Sequence, residues 1–336
     1  MKILVTGGAG FIGSHLVDYL VHEHADVTVI DNNSTNIQRN LNGILSKVTV
    51  YYDDINNTKL LDDLGSIRKF DCIVHLAALA DIVPSIERPD KYHRANVDGT
   101  VSMLEFARKN GVKKFIYAAS GSCYGDNPPL PTTEAAPINP KYPYALTKWI
   151  GEQYALHYHK VYGLDVTSLR FFNVYGRRSR TTGAYGAVFG VFMAQKLKGR
   201  PFTVVGDGHQ SRDFTYVDDA VQGILKSIKS GKPGEVYNIA SGRSSTIKNL
   251  INLMGTDYGV EYVPKRPGEP KVTQGCISKA QLDLGYNPSV DLQQGVKSMI
   301  RNIDHWKDAP VWDGNSIRIA TKTWFKYLGD EDASQL

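Results

Sequence analysis

Apolar positions along this chain follow two rhythms. Short apolar runs at Lys2–Thr6 and Asp26–Ile30, and again at 48–52, 71–75, 114–118 and 165–170, have strand length. Between them the spacing turns helical: Ile12, Leu16 and Leu20 recur with Val17 and Val21, and the same period marks 96–109 and 144–162. Strands alternating with helices predict an α/β fold built on a parallel, doubly wound sheet. Later helical stretches at 217–229 and 291–306 read as structural, with Asp218 and Asp219 as helix-start acids favoured by the dipole.

Composition narrows the class only slightly. With 336 residues, 42% of them hydrophobic and 22% charged, the chain can bury a core of globular type. No apolar run has membrane-spanning length, and the strand-like start predicts no leader peptide. Cys72, Cys123 and Cys276 are widely spaced, so neither a disulfide scaffold nor a metal site is expected, and the reducing cytoplasm is the expected location. A net charge of +5 without a basic tract suits a small anionic ligand better than nucleic acid.

The candidate chemistry gathers where strands end. The first strand runs into Gly7, Gly8, Gly10 and Gly13 before a helix, a turn that lets backbone approach a pyrophosphate at the helix amino terminus. Asp31 closes the second strand, at the distance expected of a carboxylate that accepts from a ribose 2′-OH, which favours NAD over NADP. Asp53, Asp54 and Ile55 close the third strand, and Leu76, Ala77 and Ala78 follow His75 at the fourth. His75 is expected to be a satisfied core histidine, and Asn96 to tie loops together. After the fifth strand comes Ser120, and then Tyr144 and Lys148, four residues apart on one helical face. A free phenol has a pKa of about 10. A nearby ammonium favours the phenolate, so the pair is expected to act as a general base for a hydroxyl.

Taken together, Thr6-Gly-Gly-Ala-Gly-Phe-Ile-Gly13, Asp31, His75-Leu-Ala-Ala78, Ser120-Gly-Ser-Cys-Tyr-Gly125, Tyr144-Ala-Leu-Thr-Lys148 and Leu169-Arg-Phe-Phe-Asn-Val-Tyr-Gly176 resemble the extended short-chain dehydrogenase/reductases of the nucleotide-sugar epimerase/dehydratase branch. Gly206-Asp-Gly208, Ser211-Arg-Asp-Phe214, Arg266-Pro-Gly-Glu269 and Leu284-Gly-Tyr286 extend the likeness to about residue 305. The resemblance implies a Rossmann-like NAD-binding domain over 1–172 and a smaller α/β domain, mainly 173–310, for a nucleotide sugar, with some segments returning to the first. Residues 311–336 form a tail whose role it does not reach.

By the same resemblance, NAD would be held by Gly7, Gly10, Phe11, Ile12, Gly13, Asp31, Asn32, Asp54, Ile55, Leu76, Ala77, Ala78, Tyr144, Lys148 and Phe171. A UDP-sugar would meet Ser120, Ser122, Tyr144, Asn173, Val188, Arg212, Arg266, Glu269 and Thr273, with the segment 183–187 leading into the cover of the base. Arg212 and Arg266 offer the planar, permanently charged donors that a diphosphate favours, and Glu269 would accept from the ribose. Arg177, Arg178 and Arg180 read as a solvated loop. Ser120, Tyr144 and Lys148 would be the catalytic set, and a homodimer is implied through helices 96–109 and 144–162.

Within the branch, 4,6-dehydratases carry an Asp-Glu pair where this chain has Gly121 and Ser122, and decarboxylases commonly have glutamate at Ser122. A 3,5-epimerase/reductase would prefer NADPH, which Asp31 opposes. What remains is 4-epimerisation through a transient 4-ketone, with Thr273 small enough to admit an N-acetyl group at C2. A UDP-glucuronate decarboxylase or 4-epimerase, and a non-catalytic NAD-binding regulator, stay open as alternatives.

Overall fold

The computed structural model describes residues 1–34, 38–179, 187–255 and 257–329. Its first half alternates as the sequence pattern requires: β1 (Lys2–Thr6), α1 (Phe11–His22), β2 (Asp26–Ile30), β3 (Thr49–Tyr51), α2 (Thr58–Ile67), β4 (Cys72–His75), α3 (Ile82–Glu87), α4 (Pro89–His93), α5 (Gly99–Lys109), β5 (Lys114–Ser120), α6 (Pro143–Tyr162) and β6 (Asp165–Phe171). The second half adds β7 (Val174–Tyr175), α7 (Val188–Leu197), β8 (Phe202–Val205), β9 (Ser211–Arg212), β10 (Thr215–Tyr216), α8 (Val217–Ser230), β11 (Glu235–Ile239), β12 (Ser245–Thr246), α9 (Ile247–Met254) and β13 (Val260–Val263). It ends with α10 (Ser278–Leu284), α11 (Leu292–Arg301), α12 (Gly314–Ala320) and α13 (Lys322–Leu328).

Seven parallel strands form one sheet in the order β11-β6-β5-β4-β1-β2-β3, the Rossmann-like arrangement expected. Its central strands are apolar on both faces because each face carries helices. Leu16, Val17, Val221 and Ile224 pack on one side, and Leu64, Met103, Phe106 and Ala155 on the other. Strand β11 is drawn from late in the chain and pairs with β6 from Glu235↔Thr167 to Ile239↔Phe171. A second core, with Phe189, Phe192, Phe214 and Trp306, fills the lobe beside the sheet's carboxyl edge.

Element ends depart from the sequence pattern where polar side chains intervene. The stretch 96–109 opens with a π-helical turn, Arg94–Asp98, and becomes α-helical only at Gly99. There the Asn96 carbonyl accepts from the Thr100 hydroxyl at 2.6 Å, a side-chain bond that competes with the regular ladder. The stretch 291–306 divides in two. Asp291 is the N-cap of α11, reciprocated by Gln294, and the chain tightens into a 3₁₀ turn at Ile303–Trp306.

Two charge readings need correction. Asp218 and Asp219 do open α8, but Asp219 is buried and accepts from the backbone N–H groups of Ser289 (2.9 Å) and Val290 (3.0 Å), tying α8 to the segment before α11. Arg177 and Arg178 are not simply solvated: Arg178 meets Asp18 on α1 at 2.6 Å and Arg177 meets Asp218 at 3.5 Å. Arg180 lies outside the described residues. Among those described, no helix is long and apolar enough to cross a membrane.

Candidate active site

Between the sheet's carboxyl edge and the smaller lobe lies a cleft of about 740 Å³. It opens where β1 sits between β4 and β2, the point at which the strand order reverses and ligands bind in such sheets. Gly7 turns the chain there with φ +69°, and a side chain on it would collide with the Ala77 backbone. Gly13 lies so close to the Gly7 carbonyl that a β-carbon would overlap it. Helix α1 then starts at Phe11 with no side-chain cap, so its first-turn N–H groups are left for a ligand. This cradle fits a dinucleotide pyrophosphate.

Asp31 directly follows β2 and is 8% exposed. Its carboxylate accepts from Ala9 N–H at 3.0 Å and Asn33 N–H at 2.8 Å, which fixes it beside the glycine turn. Burial pushes its pKa up while those N–H groups oppose the rise. Asn32 donates to Asp54 at 3.2 Å, joining the ends of β2 and β3 at the same rim. Ile55, Leu76, Ala77, Ala78 and Phe171 line the cleft as well. His75 does not reach it. Its ring bonds Thr6 at 2.7 Å and Thr100 at 3.1 Å, and burial drives its pKa to about 3, so it is a neutral core histidine. Asn96 bridges Leu79 and Thr147, as its loop-tying role requires.

The last residue of β5 is Ser120, whose hydroxyl lies 2.9 Å from that of Ser122 and faces the cleft that Tyr144 also lines, where it favours the phenolate. Tyr144 and Lys148 come from the first turns of α6, which Pro143 opens. Deeper along α6, Glu152 binds Arg170 of β6 at 2.6 Å, and the Lys148 carbonyl accepts from Tyr117 at 3.0 Å. Helix α6 is thereby pinned to the sheet. Lys148 is 4% exposed, its ammonium 4.6 Å from the Tyr117 ring centroid.

The protein alone does not acidify the phenol, contrary to the expectation from the Tyr–Lys spacing. Burial pushes the Tyr144 pKa up, and Asp81 and Cys123 push the same way against the Ser120 hydroxyl. The lysine suffers the same desolvation: burial lowers it to about 7, with Glu152 opposing. A half-neutral lysine inside a low-dielectric pocket is a weak source of the field that a phenolate needs.

At the far end, Asn173 accepts from Thr273 at 3.2 Å, and Val188 begins α7 on the cleft wall. Glu269 sits between two guanidiniums, with Arg266 at 2.9 Å and Arg212 at 3.4 Å. Its carboxylate therefore holds the arginines together, rather than standing free to accept from a ribose. Arg212 is further fixed by donating to Pro270 O at 2.7 Å, and burial lowers its pKa. Ala187 lines the cleft, whereas 183–186 lie outside the described residues. All the residues expected to bind cofactor or sugar nucleotide thus line one cavity. Tyr142, Asp81, Trp312 and Trp324 line it too and were not anticipated. Tyr142 is two residues before Tyr144, but it precedes the helix in extended conformation (φ −148°), so helical spacing could not reveal it.

A family model described as NAD-dependent epimerase/dehydratase matches residues 3–240. Among solved structures, UDP-glucose 4-epimerase from the hyperthermophilic eubacterium Thermotoga maritima, with UDP-glucose, is 35% identical at TM-score 0.86, covering 90% of this chain and 99% of its own. UDP-N-acetylglucosamine 4-epimerase from Methanobrevibacter ruminantium M1, in complex with UDP-N-acetylmuramic acid, is 35% identical at TM-score 0.83, with coverages of 90% and 98%. UDP-glucuronic acid 4-epimerase from Bacillus cereus, with UDP-glucuronic acid and NAD, is 34% identical at TM-score 0.83, with coverages of 90% and 99%.

Proposed function

The chain belongs to the NAD-dependent epimerase/dehydratase family, and from that premise we propose that it epimerises a UDP-hexose, or its N-acetylated counterpart, at C4. The observation that carries this reading is the convergence of Ser120, Tyr144 and Lys148 on the same cleft as the glycine cradle.

The roles follow from position. The uncapped α1 terminus and Asp31 bind the dinucleotide at one end, while Arg212, Arg266 and Asn173 receive the sugar nucleotide's diphosphate at the other. Bound NAD supplies the hydride acceptor, later the hydride donor, and a pyridinium charge that favours the phenolate. Tyr144 Oη takes the 4-hydroxyl proton as C4 is oxidised to the ketone and returns it after the sugar presents its other face. Ser120 donates to the same sugar oxygen and orients it. Both protein groups end as they began, so no net redox occurs. Gly121 and Ser122 supply no acid or base for eliminating water across C5 and C6. Thr273, small and beside Asn173, supports acceptance of a bulky C2 substituent.

The protein is proposed to work as a cytoplasmic homodimer joined through α5 and α6. In support, Leu146, Tyr154 and Val161 leave an apolar stripe exposed along α6.

The test is to incubate purified protein with UDP-galactose, UDP-N-acetylgalactosamine and UDP-galacturonate and resolve the products chromatographically. Formation of the 4-epimer without net NADH, and a loss of about 10³-fold in Tyr144→Phe, is the expected outcome. No 4-epimer from any of the three would end the reading. Conversion of the galacturonate alone would move the substrate assignment to the uronic acid pair.

A further inference from the structure

Past residue 309 the chain returns to the cleft, which Ala309, Pro310, Trp312 and Trp324 help to line. The Trp312 carbonyl accepts from Gln195 of α7 at 2.7 Å, and Gly314 N–H donates to Glu261 at 3.1 Å, anchoring the start of this arm on the smaller lobe. Ile317 buries itself in that lobe's core. Helix α13 then reaches the other wall, where Thr323 donates to Glu87 of α3 at 3.2 Å. Residues 79–83, at the start of α3, themselves line the cleft. The arm therefore spans both walls.

Its key side chain is Trp324, 2% exposed. The indole N–H donates to Pro267 O at 2.8 Å, and the Arg266 guanidinium lies over the ring, 5.3 Å from its centroid. The Tyr142 ring lies 6.4 Å from that of Trp324, and it is itself nearly parallel to the ring of Tyr144. One tryptophan thus supports the loop that carries Arg266 and Glu269, and also the aromatic pair ending in the phenol. Buried indole with a satisfied N–H and a stacked guanidinium is a rigid support.

We propose that the carboxyl-terminal arm is a strap across the sugar-nucleotide end of the cleft, and that Trp324 is the positioning residue through which it holds Arg266 for the ligand's phosphates. This rests on the reading of that end as a UDP-sugar site. Among the described residues no hydrogen bond or ring contact joins the arm to the glycine cradle, so the arm is expected to affect the sugar nucleotide and leave the dinucleotide alone.

The experiment measures UDP and NAD binding by calorimetry in the full chain, Trp324→Ala and Trp324→Phe, with kcat and KM beside them. Losing the ring and its hydrogen bond is expected to weaken UDP binding by about 10-fold in Trp324→Ala, with KM rising by a larger factor than kcat falls. Trp324→Phe keeps a ring under Arg266 and should recover most of the affinity, and NAD binding should not move in either variant. If UDP affinity in Trp324→Ala matches wild type, or NAD binding falls equally, the strap is refuted. Hydrogen exchange on the unaltered chain gives a second answer should the alanine variant not fold: amides of 322–328 must slow when UDP is added, and unchanged exchange refutes the proposal. A wild-type chain that binds no UDP overturns the UDP-sugar reading and this inference together, whereas normal binding in the variants overturns the inference alone.

Discussion

Replacing Lys148 with methionine keeps much of the buried volume and removes the charge. In the folded chain the ammonium is held at about 7 against an ordinary lysine value of 10.5, with desolvation the leading cause. That fall corresponds to at most about 5 kcal/mol of destabilisation from carrying the cation inside. Below the folded value, lysine is protonated in both folded and unfolded chains and the penalty is complete. As pH rises from about 7 toward 10.5 the folded chain sheds its proton first, and the penalty disappears. Lys148→Met is therefore expected to be more stable than wild type by up to about 5 kcal/mol at pH 6, the gain shrinking by about 1.4 kcal/mol per pH unit between 7 and 10.5. Urea unfolding of nucleotide-free protein at pH 6, 7.5 and 9, followed by tryptophan fluorescence, measures the difference. An equal difference at pH 6 and 9, or a wild type more stable at pH 6, would refute the argument.

Other substitutions probe the two ends of the cleft. Gly13→Ala drives a methyl into the Gly7 carbonyl and should abolish NAD binding, with about 2–3 kcal/mol lost in thermal unfolding; retained dinucleotide fluorescence quenching would contradict it. Thr273→Tyr fills the space beside Asn173 and should lower kcat/KM for the N-acetylated sugar by at least ~10-fold more than for the plain hexose, as competition assays would reveal. An equal loss for both sugars would remove Thr273 as the gate.

Much of this arrangement was legible because it is local. Strands buried on both faces read as unbroken apolar runs, and the glycine turn is written in four nearby residues. The onset of α5 was not legible, since it depends on Thr100 bonding to the Asn96 carbonyl. Nor was the pairing of Arg178 with Asp18 or of Glu269 with two arginines, because the partners meet only after folding. Spacing brings a phenol and an ammonium onto one face but is silent on how much water surrounds them, and burial therefore raises the tyrosine's pKa where the spacing alone points to a fall. Trp324 stands in a tail without a motif, and its meaning comes from Pro267 and Arg266, more than fifty positions earlier.

Strand β11 has a consequence during synthesis. Until residues 235–239 leave the ribosome, β6 presents an open row of peptide groups along Thr167 to Phe171, a template onto which another chain can add. A chain ending before residue 235 would therefore carry α6 complete and that flank unsealed, and is expected to be more prone to aggregate than the full chain.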